Sequence, residues 1–541
     1  MAMSTAGRSP MATLPTELLA GIFGHAAQDA HEIYIRSLKH ELLPADPRLP
    51  RPYCWIRITH VCSLWRAIAL STPALWTNIS LIDTDPTYKI LQRTRSLNIT
   101  VTFRLPAKSP APGGLPWEQV DKRMHLYSWL LLAETRRITA VTAPAMLGDF
   151  SSDVVGEATQ LRSLVILAPD LGRISSAPGA YAFPALEHLE YRAAGSISPV
   201  PLLCATLRTL VVQPMWENAV DPYTAYMLGV RKLVRALRGM PRLEALDVSI
   251  ADSRNVPPVP EIKHEPVPAA RLHTVRLIGV APACAHFLQH VALPPDARLD
   301  IESVVRNIQP DMAPRPVPHA IAAVLQGPPS TLSAPCAAFS IESADGGGYV
   351  LRGWRRADAR YAAGAADVVL RCGMRKADAD LVVLLRVFAL HGVEHVRIVC
   401  RHLGLFGPYA GFDQLARGAR LRSIVLDGVK ADLAVYLLPT TTAADVALEN
   451  VKFKPSGPED AKQWEDERAP RPEAIVPERP NTMRELAQLL AASTAEERAI
   501  RRLKLTRVQN VRAEDVEGLR EHVAEVNWDR VESMNLTYDR N

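Results

Sequence analysis

A few groups of residues have types and spacings on which chemistry is commonly built. Gly346, Gly347 and Gly348 are consecutive, and runs of glycine let backbone N–H groups close around a phosphate. The Lys-Ser/Thr that completes a G-x-x-x-x-G-K-[ST] cradle is missing, and SIESADGGGYVLRGW (340–354) reads instead as a β-hairpin turning at Gly346-Gly347. His391 and His395 are four apart, a spacing that aligns two imidazoles on a helix face, but they straddle Gly392 at an expected helix-to-strand junction. His31-Glu32 has no second histidine four residues after the first, so H-E-x-x-H is absent, as is G-x-S-x-G. The seven cysteines (54, 62, 204, 284, 336, 372 and 400) are odd in number, scattered, and form no C-x-x-C pair. They read as reduced thiols, not as a zinc site or a disulfide framework. The expectation is a protein without catalytic residues, metal or cofactor, in the cytoplasm, the nucleus or both.

What recurs is a structural phrase. LRSLVIL begins at 161, LEHLEYR at 186, LRTLVVQ at 207, LEALDVS at 243 and LHTVRLI at 272. VEHVRIV follows at 393, LRSIVLD at 421, IRRLKLT at 500 and VESMNLT at 531. Less regular copies start near 297 (ARLDIES), 366 (ADVVLRC) and 445 (DVALENV). The shared form, apolar-x-x-apolar-x-apolar, is the strand portion of a leucine-rich repeat, and the spacings of 25, 21, 29 and 28 residues between close copies match its period. Segments between copies have helical periodicity: 223–239, 283–292, 378–392, 482–493 and 513–526. Strands 97–103 and 137–143 and a helix over 117–134 precede the series. A doubly wound α/β domain would also alternate strand and helix, but its Gly-rich phosphate turn after the first strand is absent. The expected fold is therefore α/β, an irregular leucine-rich-repeat-like solenoid over 90–541 with a parallel sheet, helical return segments, and proline-rich loops at 251–270, 307–320 and 454–480.

The N-terminal region differs. Residues 1–12 read as a disordered start without the apolar core of a signal peptide. Then LPTELLAGIFGHA carries Leu18, Leu19, Ile22 and Phe23 on one helical face, and WIRITHVCSLWRAIALSTPALW carries Ile58, Val61, Cys62, Trp65, Ile68 and Ala69 before Pro73 stops the helix. The order Leu-Pro-x-Glu-Leu-Leu-x-x-Ile-Phe, then Val-Cys-x-x-Trp-Arg-x-Ala and Pro-x-Leu-Trp, resembles the F-box in the variety common in fungal F-box-like proteins. The resemblance covers 13–82, with 27–54 as an insertion that holds an extra helix, DAHEIYIRSLKHELL, and a loop with Pro44, Pro47, Pro50 and Pro52.

The resemblance to proteins joining an F-box to leucine-rich repeats implies a function. The F-box would bind a Skp-type adaptor, and through it a cullin, through Leu14, Pro15, Leu18, Ile22, Val61, Cys62 and Trp65. The repeats would hold a protein target for ubiquitination. The alternative is a scaffold whose F-box-like helices only cap the solenoid. In the repeat phrase, the x positions beside the last two apolar residues project from the open face of the sheet and lean basic. His395, Arg397, Arg502 and Lys504 are the expected target contacts, favouring an acidic or phosphorylated segment. A net charge of +5 without clustering gives no nucleic-acid signature, and the most apolar run, LVVLLRVFAL (381–390), is short and holds Arg386, so no membrane span is expected.

Overall fold

The computed structural model describes residues 14–40, 52–81, 84–103, 133–144, 158–168, 183–193, 202–214, 230–250, 266–279, 281–294, 296–303, 336–344, 348–356, 366–372, 393–399, 421–438, 441, 443–453, 482–492 and 500–529. The chain divides into two compact units, Met1–Val256 and Pro257–Asn541. The expectation was one continuous solenoid over 90–541. The seam falls in the 251–270 stretch, where proline and charge interrupt the repeat phrase. Residues 117–132 of the helix expected over 117–134, the return segment 378–392, the loops 307–320 and 454–480 and the last phrase, at 531, lie outside the described residues.

The first unit opens with helix α1, Thr16–His40. This corrects the reading of 27–54 as an insertion with its own helix. Leu19, Phe23, Ala27, Ala30 and Tyr34 are buried and Leu38 half-buried. They continue one stripe at three- and four-residue steps, and no proline interrupts it before Pro44, so the helix runs on. A 3₁₀ turn Cys54–His60, helix α2 Ser63–Ser71 and a second 3₁₀ turn Pro73–Trp76 follow. Aromatic contacts lock them together. Phe23 meets Trp65 and Trp55 meets Trp76, each with ring centroids 5.0 Å apart. The buried Trp76 indole donates its Nε1–H to the Ala69 carbonyl at 2.9 Å.

The helical region does not end in a linker at 82. Strand β1, Asn78–Leu81, pairs in parallel with β2, Ile99–Phe103, across helix α3, Thr84–Thr94. Next come β3 Ile138–Pro144, β4 Ser163–Ala168, β5 His188–Ala193, β6 Thr209–Pro214, helix α4 Val230–Leu237 and β7 Ala245–Ile250. All seven strands are parallel and lie in chain order. The three apolar positions of each phrase point to one side and are buried: Leu161, Leu164 and Ile166, then Leu186, Leu189 and Tyr191, then Leu207, Leu210 and Val212. No single repeat can cover this row; the neighbouring strands do.

The second unit has a short parallel pair, β8 Val267–Pro268 with β10 Val291–Ala292, beside a larger sheet. Its strands are β9 Thr274–Gly279, β11 Arg298–Ser303, β12 Ala338–Ala344, β13 Gly348–Trp354, β14 Val368–Cys372, β15 His395–Val399, β16 Ser423–Asp427, β17 Asp445–Glu449, β18 Arg502–Thr506 and β19 Glu525–Trp528. Helices α5 Ala281–His290, α6 Ala431–Leu437, α7 Met483–Ala492 and α8 Ala513–Arg520 lie between strands. The expected hairpin is present: β12 and β13 are antiparallel. It is inserted so that β14 pairs with both β11 and β13, and β15 pairs with β12. From β15 to β19 the sheet is parallel and in chain order. The helix expected over 513–526 stops at Arg520, and its last residues form β19 instead. Val526 and Trp528 favour a pleated strand, and Glu525 pairs with Arg502 in the ladder.

The repeat also has a corner that the phrase does not contain. One residue past β16, β17 and β18, the chain turns left-handed at Gly428 (φ 63°), Asn450 (φ 53°) and Arg507 (φ 51°). A buried valine follows each turn: Val429, Val451 and Val508. Lys430, Lys452 and Gln509 then form parallel bridges. Only glycine occupies such a φ without a steric cost. Arg507→Gly is expected to stabilise the protein by about 1 kcal/mol, whereas Gly428→Val should lower the denaturant midpoint. Chemical unfolding of the full chain, followed by circular dichroism, measures both.

Candidate functional site

His395 is buried, with Nδ1 2.7 Å from Ser423 Oγ. His391, Gly346 and Gly347 lie outside the described residues, and Gly348 opens β13. Burial pushes the pKa of His31 down, so this side chain is neutral and packed. Burial also pushes the Cys336 thiol up to about 11, with Arg355 opposing and Asp367 adding to the rise. It is thus protonated, and it fills the space a Cβ at Gly353 would need, 2.8 Å from Sγ. Among the described residues no group of His, Cys, Asp and Glu is placed to hold a metal.

The helical region, in contrast, divides its apolar residues between two sides. Leu19, Phe23, Ile68, Ala69, Leu75 and Trp76 are buried. Leu18, Ile22 and Val61 are 56%, 48% and 61% exposed. α1 explains the division. Leu19 and Phe23 share the stripe that continues to Leu38, while Leu18 and Ile22, also four apart, face away from it. Pro15 and Cys62 are exposed as well, and Leu14 and Trp65 are half-buried. Cys62 caps α2, its Sγ accepting the Trp65 backbone N–H at 3.5 Å. The Phe23–Trp65 contact holds α1 against α2.

The sequence reading did not separate the residues that fill the core from those that face outward, and it missed Leu64 and Leu70, both more than 40% exposed on α2. The available signal was that α2 is apolar on two sides, at Leu64 and Leu70 as well as at Ile68 and Ala69. Arg57, His60 and Arg66, in the same stretch of chain, are exposed too. Gly21 lies beside Leu18 and Ile22, and open space surrounds the place its Cβ would take. No described residue requires glycine there, although glycine costs a helix interior about 1 kcal/mol relative to alanine.

The second candidate surface is the open face of the β15–β18 sheet. The register places Arg397 in one row with Val425, Ala447 and Lys504, and His395 in the next row with Ser423, Asp445 and Arg502. The four residues therefore share a face, as expected, but they do not form one cationic patch. Three strand spacings, about 14 Å, separate the pair on β15 from the pair on β18, and acids stand between and beside them. Arg397 Nη2 lies 2.7 Å from Asp427 and 3.8 Å from Glu449. Arg502 grips both oxygens of Asp445, at 2.7 and 2.6 Å. The pattern continues along the sheet: Arg352 pairs with Glu342, Arg371 with Asp300, and Arg276 lies 3.8 Å from both Asp300 and Glu302. The partners come from neighbouring strands and not from adjoining loops. This face is a lattice of alternating charges, on which Arg502 and Lys504 are both exposed.

No protein-family model matches the chain, and no curated protein matches it. Among solved structures, a leucine-rich-repeat protein of Leptospira interrogans is similar, with 12% identity over 86% of this chain and 98% of that one, and a TM-score of 0.25. The leucine-rich-repeat-like fold rests on the chain's own evidence: the recurring phrase, the buried apolar row and the parallel register of successive copies.

Proposed function

We propose that this chain is the target-recognition subunit of a Skp–cullin–F-box type ubiquitin ligase and carries out no chemistry of its own. The observation that supports this most is the exposure of Leu18, Ile22, Val61 and Leu64 in a small helical region whose Leu19, Phe23, Ile68, Ala69, Leu75 and Trp76 are buried. Burying the exposed halves of these four side chains would contribute roughly 3–6 kcal/mol before the costs of association. That is the energetic profile of an interface core. The exposed Arg57, His60 and Arg66 favour an acidic partner. A partner backbone approaching α1 closely would also account for Gly21. The role is one of proximity: a target on the repeats and a conjugating enzyme at the far end of the assembly meet as parts of one molecule.

A specific observation favours the second reading, in which the helices cap the sheet. Tyr53 hydrogen-bonds the outward backbone of β1, its Oη accepting the Ser80 N–H at 2.7 Å and donating to the Ser80 carbonyl at 3.1 Å. Capping uses the packed side and docking the exposed one, so the two roles are compatible. They differ at Leu18 and Ile22. Leu18→Asp with Ile22→Asp should leave the melting temperature within a few degrees and weaken binding of a purified Skp-type adaptor at least a hundredfold, measured by surface plasmon resonance on the full chain. If adaptor and chain do not bind at micromolar concentration, the helices are a cap only.

For the target we assign the charge lattice around Arg397, Asp427 and Lys504, with His395 and Arg502 held in its structural pairs. Arg397→Glu would set three carboxylates together and should destabilise the protein by about 1–2 kcal/mol. Adding Asp427→Arg should restore stability while leaving the face rearranged. If the restored double variant captures the same proteins as the wild type, this face does not bind the target.

A further inference from the structure

α1 is far longer than docking through Leu18 and Ile22 requires, and its second half lies on the sheet. At one end, the Asn78 side chain donates to Gln28 Oε1 at 3.4 Å, beside β1. At the other, Leu38 packs on Val165 and Leu167, which lie on the open face of β4. From residue 28 to residue 38, a helix advances about 15 Å. From β1 to β4, three strand spacings span about 14 Å. The two lengths agree, so this stretch of α1 crosses the open face of the first four strands nearly at right angles to them.

The side chains beneath it fit that cover. The register aligns Ser80, Thr102, Thr142 and Val165 in one row across β1–β4, and all four are buried although they point away from the repeat core. They are small hydroxyls and an aliphatic residue. The next member of the row, on β5, is Glu190, which accepts from Arg192 Nε at 2.6 Å. Glu190 is buried as well, and with it the row changes from hydroxyl and aliphatic to charged.

We infer that α1 is a strut: one helix whose first half carries the exposed docking residues and whose second half is fixed across the sheet. The docking surface therefore holds a constant orientation to the first unit's repeats. α1 thereby occupies the open face of β1–β4. Only the use made of the strut rests on the proposed adaptor docking; the contact itself does not.

Hydrogen exchange with mass spectrometry on the full chain tests this. Amides of residues 27–38 should exchange as slowly as those of β1–β4, as parts of one cooperative unit. Leu38→Glu, which sets a charge against Val165 and Leu167, should speed exchange in 30–40 at least tenfold while 16–24 and 63–71 keep their protection. Adaptor affinity, where the wild type shows any, should change less than twofold. Slow exchange in β1–β4 with fast exchange over 27–38 in the wild type, or unchanged exchange in the Leu38→Glu protein, would overturn the strut. An unfolded Leu38→Glu protein would be replaced by Leu38→Ala, for which a threefold or greater local acceleration is expected and none would contradict it. Loss of adaptor binding with the exchange pattern intact would count against the docking reading alone.

Discussion

A stack of parallel strands must do something with its first strand. β1 has no strand on its outer side among the described residues, so the outward N–H and C=O of Ser80 need a partner and the apolar residues beside them need cover. The Tyr53 hydroxyl meets the first need by accepting from one group and donating to the other. Trp55, Trp76 and the Arg93 guanidinium, 4.4 Å above the Trp76 ring, meet the second. Burial also raises the Tyr53 pKa, which keeps the donor in place. The rest of the helical region follows from this arrangement. Once one side of α1, α2 and the 3₁₀ turns is committed to the end of the sheet, the apolar residues on their other side remain in water.

That division connects sequence to function. Leu18 and Leu19 are neighbours of the same type, yet one is about half exposed and the other fully buried. A helix turns its residues 100° apart, so adjacent leucines can serve different surfaces. A chain with only a capping role would carry polar residues at 18, 22, 61 and 64, since exposed apolar patches favour unwanted association. Apolar side chains at all four positions are what the proposed interface core would require.

Much of the fold could be read from the residues because the repeat is local. Leu186, Leu189 and Tyr191 announce β5 within six residues, and the same holds for seven other phrases whose three apolar positions are all buried. β1 was missed because NISL is four residues long and directly follows the helical motif. The length of α1 was misread because the motif that resembles an F-box ends near Phe23, while the stripe that extends the helix belongs to contacts with the sheet. The charged face shows the limit most clearly. Arg397 and its partners Asp427 and Glu449 are 30 and 52 residues apart in sequence. Only the strand register brings them together, so a basic lean counted strand by strand concealed a balanced lattice. The left-handed corners at Gly428, Asn450 and Arg507 were hidden because three different residues fill one repeat position.

The central claim is that the exposed side of the helical region is the core of an interface with a Skp-type adaptor. Isothermal titration calorimetry of the full chain with purified adaptor, repeated over a range of temperatures, tests it most directly. Burial of an apolar surface on binding gives a negative heat-capacity change. The account predicts one-to-one binding with a heat of association that becomes steadily more exothermic on warming. Absence of saturable heat, or binding with a heat-capacity change near zero, would contradict it.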